Sequence, residues 1–456
     1  MAKKKPPVKK NDIVTLSFQD LTHEGNGVGK VEGYSLFVPG GLPGEEAKVK
    51  VVRANKNFGY GILLELITES PERVEPTHDC GGCRLQHMSY DLELEMKHNQ
   101  VKNVMKKIAH APDVTVHAPL EMDQPIRYRN KVQMPVGERD GRLITGFYRP
   151  RSHDIIEMTE ACLAQEELVD GIVERVRDTA SRLKIRAYDE RKHRGILRHI
   201  VVRVGRRTGE VMVILVTRTK LIPNSAEIVR EIREKHPQVV SIMQNVNERK
   251  TNVILGDTTR TLWGESYIHE QIDDLTFAIS PKSFFQVNTV QTENLYNQAL
   301  EYADIGPEDT VIDAYCGTGS ISLFLARKAK KVYGVEIVPE AIEDAKKDAR
   351  MNEITNAEFV LGAAEEIMPK WKEEGLSPNV IVIDPPRKGC DEELLQAMID
   401  MNPERIVYVS CNPSTLARDI KILEAGGFKA KEIQPVDMFP RTHHVELVAL
   451  MSRVDE

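Results

Sequence analysis

Short apolar runs alternate with amphipathic segments along the C-terminal part of the chain. The apolar runs have the length of strands and occupy residues 310–313, 331–336, 357–360, 379–384, 405–409, 428–436 and 445–450. Segments with the apolar spacing of helices lie between them, at residues 320–330, 339–351, 392–398 and 414–425. This alternation predicts a parallel sheet with helices on both faces, and such sheets bind ligands at the carboxyl ends of their strands.

The N-terminal part has a different pattern, in which short β-prone runs are separated by Gly, Pro and Asn. These runs occupy residues 13–16, 27–31, 35–38, 46–52 and 60–63. Their spacing predicts a small all-β barrel over residues 11–69, after a lysine-rich tail at residues 1–10. A helical stretch at residues 92–110 follows, and an α/β region extends to about residue 275.

Length and composition place the chain among multidomain globular proteins. It has 456 residues, more than one hydrophobic core normally holds, and 41% of them are hydrophobic. No apolar run approaches the roughly 20 residues that span a bilayer, and the lysine-rich start lacks the apolar stretch of a secretion signal. We therefore expect a cytoplasmic monomer with no membrane partner, whose six cysteines are mostly reduced.

The net charge of -7 hides a strongly basic region. Between residues 182 and 207, ten Lys or Arg residues accompany only two acidic residues. Such a run alone is typical of a solvated face, but further basic groups lie at residues 127–131 and at Arg149 and Arg151, with aromatic residues among them. Because cations neutralise phosphates and aromatic rings stack on unpaired bases, the pattern favours an RNA partner. The candidate phosphate contacts are Arg127, Arg129, Arg194 and Arg198.

A glycine loop at residues 313–319 opens the C-terminal domain. Its Gly-x-Gly spacing is shorter than the full Gly-x-Gly-x-x-Gly, so a dinucleotide is disfavoured. Glu336 ends the next strand, where a carboxylate can accept both ribose hydroxyl protons, although a surface glutamate would also fit that position. Together the two features favour a ligand that contains adenosine but no pyrophosphate, and we expect this ligand to be S-adenosylmethionine.

Cys411 lies in the segment Ser-Cys-Asn-Pro, between a predicted strand and a helix that begins with Pro413. At such a turn, helix N–H groups are expected to favour a thiolate over a thiol.

A thiolate of this kind could activate a pyrimidine base of RNA for methylation. C5 of a uracil is a poor nucleophile until a thiolate adds to C6, and a base must later remove the C5 proton. Glu446 is a candidate for that base. A charge at a strand end more commonly lies exposed at a sheet edge, and that alternative stays open.

Several motifs together resemble the RNA uracil-C5 methyltransferases, and most closely their bacterial 23S ribosomal RNA branch. The motifs are Ser-Cys-Asn-Pro, the later His-Val-Glu, Asp-Ala-Tyr-Cys-Gly-Thr-Gly, Asp-Pro-Pro-Arg-Lys-Gly and Ser-Phe-Phe-Gln-Val-Asn. Amino-group methyltransferases carry an aromatic residue where this chain has Arg387, and RNA cytosine-C5 enzymes carry a Pro-Cys pair that Pro386 excludes.

The resemblance covers nearly the whole chain and implies a fold and a set of roles. It implies an N-terminal TRAM barrel, a central α/β RNA-binding domain over residues 70–275, and a Rossmann-like class I methyltransferase domain over residues 276–456. It also implies that the stretch at residues 92–120 packs on the catalytic domain. Cys411 would be the nucleophile and Glu446 the base, and the cofactor contacts would be Gln286, Tyr315, Gly317, Glu336 and Asp384.

A cysteine cluster departs from the pattern of related enzymes that hold a [4Fe-4S] cluster. Cys80 and Cys83 are paired by a Gly-Gly turn and Cys162 is a distant third ligand, but Val74 occupies the position of the first ligand. Because such clusters normally need four cysteines, we do not expect a bound cluster. A zinc site completed by His78 or His87 and a turn with free thiols are the alternatives.

The leading interpretation is S-adenosylmethionine-dependent formation of 5-methyluridine in 23S ribosomal RNA, with the target base flipped toward Cys411. A transfer-RNA uracil methyltransferase is the alternative within the same class, and the TRAM-like barrel argues against it. A non-catalytic RNA-binding or ribosome-assembly protein is the alternative from another class. The intact cysteine, glutamate and cofactor loop argue against that interpretation.

Overall fold

The structure is a computed structural model that describes residues 5–76, 81–149 and 152–454. Five residues of the predicted basic and metal-binding groups lie outside these ranges: Lys3, Lys4, His78, Cys80 and Arg151. Within the described ranges, no helix combines the length and apolar character needed to cross a membrane.

The N-terminal strands close into a barrel because their side chains alternate between an apolar interior and a polar exterior. They are β1 (Ile13–Leu21), β2 (Gly27–Val31), β3 (Tyr34–Val38), β4 (Glu46–Ala54) and β5 (Phe58–Thr68), paired in the order β1-β2-β3-β5-β4. Leu16, Leu36 and Val49 face inward and are at most 1% exposed. The small barrel is therefore confirmed. Val8 also packs in its core, so the barrel includes part of the segment assigned to the basic tail.

A helix and a short strand separate the barrel from the central sheet. Helix α1 (Tyr90–Val104) begins at the side chain of Ser89, which accepts from the backbone N–H of Leu92. It continues as a π-helical turn over Met105–Ala109, and strand β6 is Thr115–Val116. The predicted helix at residues 92–110 is thus present, with its last turn widened.

The central region is a seven-stranded sheet with two helices. Its elements are β7 (Lys131–Arg139), β8 (Arg142–Tyr148), β9 (Ile155–Glu157), α2 (Glu167–Arg182), β10 (Leu197–Val204), β11 (Val211–Thr217), α3 (Ser225–Lys235), β12 (Val239–Val246) and β13 (Thr258–Gly264). The strand order is β13-β12-β11-β10-β7-β8-β9. Strands β10 and β11 are buried on both faces, because α2 covers one side and the C-terminal domain covers the other. The hairpin β14 (Ile268–Ile272) and β15 (Leu275–Ile279) follows.

The C-terminal domain is the alternating region that the hydrophobic pattern predicted. Its elements are α4 (Thr289–Ala303), β16 (Thr310–Ala314), α5 (Ser320–Ala326), β17 (Lys331–Glu336), α6 (Pro339–Met351), β18 (Ala357–Leu361), α7 (Ala364–Glu373), β19 (Val380–Ile383), α8 (Glu392–Met401), β20 (Arg405–Ser410), α9 (Pro413–Ala425), β21 (Phe428–Val436) and β22 (Glu446–Arg453). The strand order is β18-β17-β16-β19-β20-β22-β21-β6.

The sheet is mixed rather than wholly parallel. Strands β16 to β20 run parallel, whereas β22 inserts between β20 and β21 and is antiparallel to both. The predicted parallel sheet is present in β16 to β20 but does not extend to this edge, because the last two strands form a hairpin-like pair that strand periodicity alone cannot order. The insertion matters for the site, since it places the start of β22 beside the end of β20.

The segment that follows the barrel packs against the C-terminal domain. Val101 and Met105 of α1 and its π-helical turn share a buried cluster with Leu416 and Leu423 of α9. Strand β6 extends the C-terminal sheet by pairing parallel with β21. A long-range connection therefore ties residues 90–116 to a domain that begins far along the chain.

Candidate active site

A cavity of about 1600 Å³ opens at the carboxyl ends of strands β16, β17, β19 and β20. All seven residues to which the sequence analysis assigned a catalytic or cofactor role line it, and they are Gln286, Tyr315, Gly317, Glu336, Asp384, Cys411 and Glu446. The cavity is larger than the roughly 300–1,000 Å³ typical of one drug-sized ligand. Its size leaves room for two ligands side by side.

The glycine loop and Glu336 form one hydrogen-bonded unit. The Oε2 atom of Glu336 accepts from the backbone N–H of Gly317 at 3.1 Å, and Oε1 accepts from the N–H groups of Ile337 and Val338 at 2.8 and 2.9 Å. These bonds hold the carboxylate at the end of β17. Gly319 has a φ of +77°, and an added Cβ would lie 2.9 Å from the ring of Phe359, so only glycine fits there.

Asp313 lines the same cavity, although the sequence analysis gave it no role. It is completely buried at the end of β16, and burial raises its pKa to about 7. Its Oδ2 accepts from the Ser322 hydroxyl, whereas Oδ1 has no hydrogen-bond partner among the described residues. Because Oδ1 is itself shielded, it is an unsatisfied buried acceptor behind the cavity wall rather than an open position for a ligand atom. The signal in the sequence was an acidic residue that ends the strand before a glycine loop.

Cys411 and Glu446 are brought together by strand register. Ser410 on β20 is paired with Leu447 on β22, and the two strands are antiparallel. The next residues along each strand, Cys411 and Glu446, therefore lie opposite each other at the cavity wall. The pKa of Cys411 reflects this proximity, because Glu446 contributes to raising it.

Glu446 is not an exposed charge at a sheet edge. It is 5% exposed, and β22 has a neighbouring strand on each side. Burial, and secondarily the nearby Asp384, raise its pKa to about 8, while Arg387 lowers it. The edge alternative was therefore wrong, and the carboxyl group is a titratable group near neutral pH.

The environment of Cys411 favours the thiol, contrary to the expectation from its place before a helix. Burial, Glu446 and Asp384 raise its pKa to about 11. Arg387 and the backbone N–H of Cys411 itself lower the pKa but do not offset these effects. The Asn412 side chain caps α9 by accepting from the backbone N–H of Ser414 at 3.0 Å.

The loop after β19 is fastened to the helix that carries the cysteine turn. The carbonyl of Arg387 accepts from Nδ2 of Asn412 at 3.2 Å and from the hydroxyl of Thr415 at 3.4 Å. Below it, the buried carboxylate of Asp419 accepts from the N–H of Cys390 and from the hydroxyl of Tyr408. The Asp-Pro-Pro-Arg segment and Cys411 thus form one rigid wall.

A second wall comes from the loop between β21 and β22, which is held by a buried charge network. The ammonium group of Lys97 donates to Glu93 at 2.6 Å and to Asp437 at 2.5 Å, and all three side chains are fully buried. The same loop presents Phe439 and His444 to the cavity. Burial lowers the pKa of His444 to about 4, so its ring is neutral at physiological pH.

The Ser-Phe-Phe-Gln-Val-Asn segment approaches from the central sheet. The side chain of Asn130 donates to the carbonyl of Gln286 at 3.0 Å, and its backbone N–H donates to the carbonyl of Val287 at 2.8 Å. Asn288 caps α4 and also donates to the carbonyl of Met438. This segment therefore joins the central sheet to the cavity.

The four arginines predicted to contact phosphates differ in how accessible their guanidinium groups are to an RNA backbone. Arg129 lines the cavity, and Arg194 is exposed on the turn before β10. Arg127 pairs with Asp170 at 3.1 Å and donates to the carbonyls of Cys162 and Gln165.

Arg198 is withdrawn from the set of phosphate contacts. It is 5% exposed, and its guanidinium donates to the carbonyls of Asn247, Arg249 and Thr251. Its charge holds that loop in place and is not presented to a phosphate.

The cysteine cluster lies only partly within the described residues. Cys83 and Cys162 line a second cavity beside Tyr128, whereas Cys80 and His78 lie outside the described ranges. No group of three or more metal-ligating side chains occurs in the part of the chain that is described. His87 is buried, and burial lowers its pKa.

Known proteins match this chain over almost its whole length. The family model described as tRNA (uracil-5-)-methyltransferase matches residues 89–454, and the TRAM domain model matches residues 7–64. An uncharacterised RNA methyltransferase of Oceanobacillus iheyensis is 63% identical over 98% of both chains. One of Halalkalibacterium halodurans is 54% identical over 99% of both chains.

A solved structure has the same fold. It is the tRNA (uracil-54, C5)-methyltransferase of Pyrococcus abyssi in complex with S-adenosyl-L-homocysteine. The match has a TM-score of 0.78 and 30% sequence identity, and it covers 96% of this chain and 99% of the other. The predicted TRAM barrel and methyltransferase domain are confirmed, and the chain belongs to the tRNA (uracil-5-)-methyltransferase family of RNA methyltransferases.

Proposed function

We propose that this protein methylates C5 of a uridine in RNA, using S-adenosylmethionine and a covalent adduct between Cys411 and C6 of the base. The observation that carries the proposal is the placement of Cys411 opposite Glu446 at the wall of the cavity that the glycine loop opens into. A nucleophile and a base on adjoining strands can act on neighbouring carbons of one ring.

The cofactor end of the cavity fits S-adenosylmethionine on the chemistry of its lining. Glu336 is held with its carboxylate at the strand end, as a ribose partner would be. Asp313 and Asp384 both line the cavity, and burial raises the pKa of each to about 7. A ligand with two positive groups, an ammonium and a sulfonium, would stabilise these carboxylates in their ionised form. Bound there, S-adenosylmethionine supplies an electrophilic methyl group.

The proposed reaction assigns one bond change to each residue. The Sγ thiolate of Cys411 adds to C6, and the ring electrons move to the C4 carbonyl oxygen, so that C5 becomes nucleophilic and takes the methyl group. Glu446 then accepts the C5 proton. The C6–S bond breaks as the C5–C6 double bond reforms, which returns the thiolate. The methyl group would come from the sulfonium of the cofactor, whose S–CH3 bond breaks to leave S-adenosylhomocysteine. The target base must leave its stack to reach the cavity, whose volume leaves room for it beside the cofactor.

The proposed RNA is 23S ribosomal RNA, and transfer RNA is the second candidate. Support for 23S ribosomal RNA comes from the combined motifs of the C-terminal domain. Support for transfer RNA comes from the Pyrococcus abyssi tRNA enzyme. Its match covers 96% of this chain, so the matched part must include the barrel. The barrel therefore does not discriminate between the two substrates, and its presence is no evidence against transfer RNA.

Trapping with 5-fluorouridine RNA tests the chemistry. Because fluorine cannot leave as a cation, the adduct should persist and migrate as a protein–RNA complex on a denaturing gel. We expect the complex from the native protein and none from Cys411→Ala. An equal complex from both proteins, or none from either, would contradict the proposal. Methyl incorporation into 23S transcripts and into transfer RNA, measured side by side, decides the substrate.

A further inference from the structure

A second cavity of about 290 Å³ adjoins the active site and has the opposite charge character. Arg129 and Val287 line both cavities, so the two cavities are separated by a single layer of residues. The lining residues of the second cavity include Arg129, Lys131, Gln133, Tyr128, Phe147 and Thr442. Among the described residues that line it, none is acidic. The active-site cavity, in contrast, has ten acidic lining residues and four Lys or Arg.

The strand that forms this cavity presents its cations in one direction. Lys131 and Gln133 are alternate residues at the start of β7, so their side chains project from the same face. Arg129 lies two residues before the strand and lines the same cavity. Within the described residues, neither Arg129 nor Lys131 forms an ion pair, whereas many other arginines of the central region do.

A third cation lies against the first two. Lys131 is paired across the sheet with Arg203, which is 3% exposed and donates to the carbonyls of Ser280 and Ser283. Like charges directly opposite on neighbouring strands destabilise a sheet. Asp344 lies near Arg203 and favours its charged form, whereas no acidic group among the described residues does so for Lys131. Burial, with Arg203 and Arg129 nearby, lowers the pKa of Lys131 to about 8.

The floor of the cavity is the loop that also serves the active site. Tyr128 donates to the carbonyl of Pro440 at 3.0 Å, and Thr442 lines the cavity and donates to the carbonyl of Phe439. Phe439 and His444 of the same loop line the catalytic cavity. A group bound in the second cavity would therefore lie next to the loop that flanks the target base.

We propose that this cavity binds a backbone phosphate of the substrate RNA, adjacent to the nucleotide that enters the active site. The inference rests on the proposed function for its ligand. The acid-rich catalytic cavity repels phosphate, so a flipped nucleotide needs a cationic position for its flanking backbone. Arg129 and Lys131, without an acidic partner in the described lining, provide that position.

Salt dependence of RNA binding tests the site. Arg129→Gln and Lys131→Gln should each lower the slope of log affinity against log salt by about 0.7 to 1 for a 23S transcript, because each loses one phosphate contact. Roughly threefold to tenfold weaker binding should follow at low salt. Lys131→Arg should keep the native slope. Lys235→Gln, an exposed lysine at the end of α3, is the matched control and should change nothing.

Two further measurements distinguish loss of a phosphate contact from unfolding of the variant and from binding of a different ligand in the cavity. Without RNA, Lys131→Gln should melt at the native temperature or above it, because a repulsive charge is removed. Its affinity for S-adenosylhomocysteine, measured by calorimetry, should stay native. Unchanged salt slopes in both variants would overturn the inference. A loss of S-adenosylhomocysteine affinity with native slopes would also overturn it, since the anion would then be the cofactor's carboxylate.

The binding assay needs no turnover, so its failure is distinct from failure of the proposed function. If native protein forms the 5-fluorouridine adduct while the salt slopes of the variants do not change, only the phosphate site is contradicted. If no adduct forms but the salt slopes change as expected, the phosphate site is supported and the proposed methyl transfer is contradicted.

Discussion

At the scale of single residues, the active site holds three carboxyl groups whose ionisation is suppressed by burial. The pKa of Asp313 and of Asp384 is raised to about 7, and that of Glu446 to about 8. Glu446 and Asp384 also disfavour the Cys411 thiolate, in addition to the larger effect of burial. The charge state of Cys411 therefore depends on its burial and on these two carboxyl groups.

Neutralising Glu446 should make the Cys411 thiol more reactive. Glu446→Gln removes a negative neighbour, so the pKa of Cys411 falls and more thiolate is present at pH 8. One pKa unit corresponds to about tenfold in thiolate population. Alkylation by iodoacetamide, followed by mass spectrometry of the Cys411 peptide, should accelerate relative to the native protein. The buried Cys390 serves as the internal reference, and an equal or slower rate at Cys411 would contradict the assignment.

The same substitution should stop the reaction after the methyl transfer. With no base to accept the C5 proton, Glu446→Gln should accumulate a covalent complex with unmodified uridine RNA, and turnover should fall by roughly 10² to 10⁴. Denaturing gels and methyl release measure the two effects. Glu404→Gln, an exposed glutamate just before β20, is the control and should turn over normally. Normal turnover by Glu446→Gln would exclude it as the base.

At the scale of elements, α1 acts as a brace for the loop between β21 and β22. Lys97 of α1 neutralises Glu93 on its own helix and Asp437 on the loop, and Tyr90 also donates to Asp437. The backbone N–H of Arg441 donates to Glu93, and Arg441 itself has a φ of +65°. The helix thereby holds the walls of both cavities in place.

Removing the central cation should destabilise the protein strongly. Lys97→Met leaves two carboxylates buried without their partner, and we expect the free energy of unfolding to fall by about 3–5 kcal/mol. Urea denaturation followed by circular dichroism measures the loss. Lys102→Met, on the exposed face of the same helix, should cost little. The triple variant Glu93→Gln/Lys97→Met/Asp437→Asn should recover part of the stability, and a loss below about 1 kcal/mol in Lys97→Met would contradict the role of the network.

At the scale of the whole molecule, the central and C-terminal regions share one hydrophobic core. Val201, Met212 and Ile214 of the central sheet pack in the same buried cluster as Phe285 and Leu295. The barrel has a separate core. Unfolding of the two larger regions should therefore be coupled, and a cofactor bound to one should stabilise both.

The two tryptophans report on this coupling, because Trp263 lies on β13 and Trp371 lies on α7. In the single-tryptophan variants Trp263→Phe and Trp371→Phe, S-adenosylhomocysteine at about 100 times its dissociation constant should add about 2.7 kcal/mol to both unfolding transitions. Fluorescence-detected denaturation measures each. Glu336→Gln should abolish the shift at the same ligand concentration. A shift confined to the Trp371 signal would mean that the two regions unfold independently.

Much of the architecture was predictable because it depends on local patterns. The alternation of residues 310–450 predicted nearly every strand and helix of the C-terminal domain, and the short runs before residue 69 predicted the barrel. Motif chemistry pointed to Cys411, Glu446 and Glu336, and the family resemblance added the other four of the seven residues that the structure places around one cavity. Asp313 was overlooked, and Arg198 was assigned wrongly, because burial and the partners of a side chain depend on residues far away in the chain.

The sequence by itself determined which segments form strands and helices and which residues carry reactive groups, since both follow from neighbouring residues and side-chain chemistry. Only the tertiary structure decided that β22 inserts beside β20, so that Glu446 faces Cys411. It also decided that Arg129, Lys131 and Arg203 converge beside a small cavity. Strand order and register depend on contacts between distant segments, and the ionisation of buried groups depends on the surroundings that those contacts create.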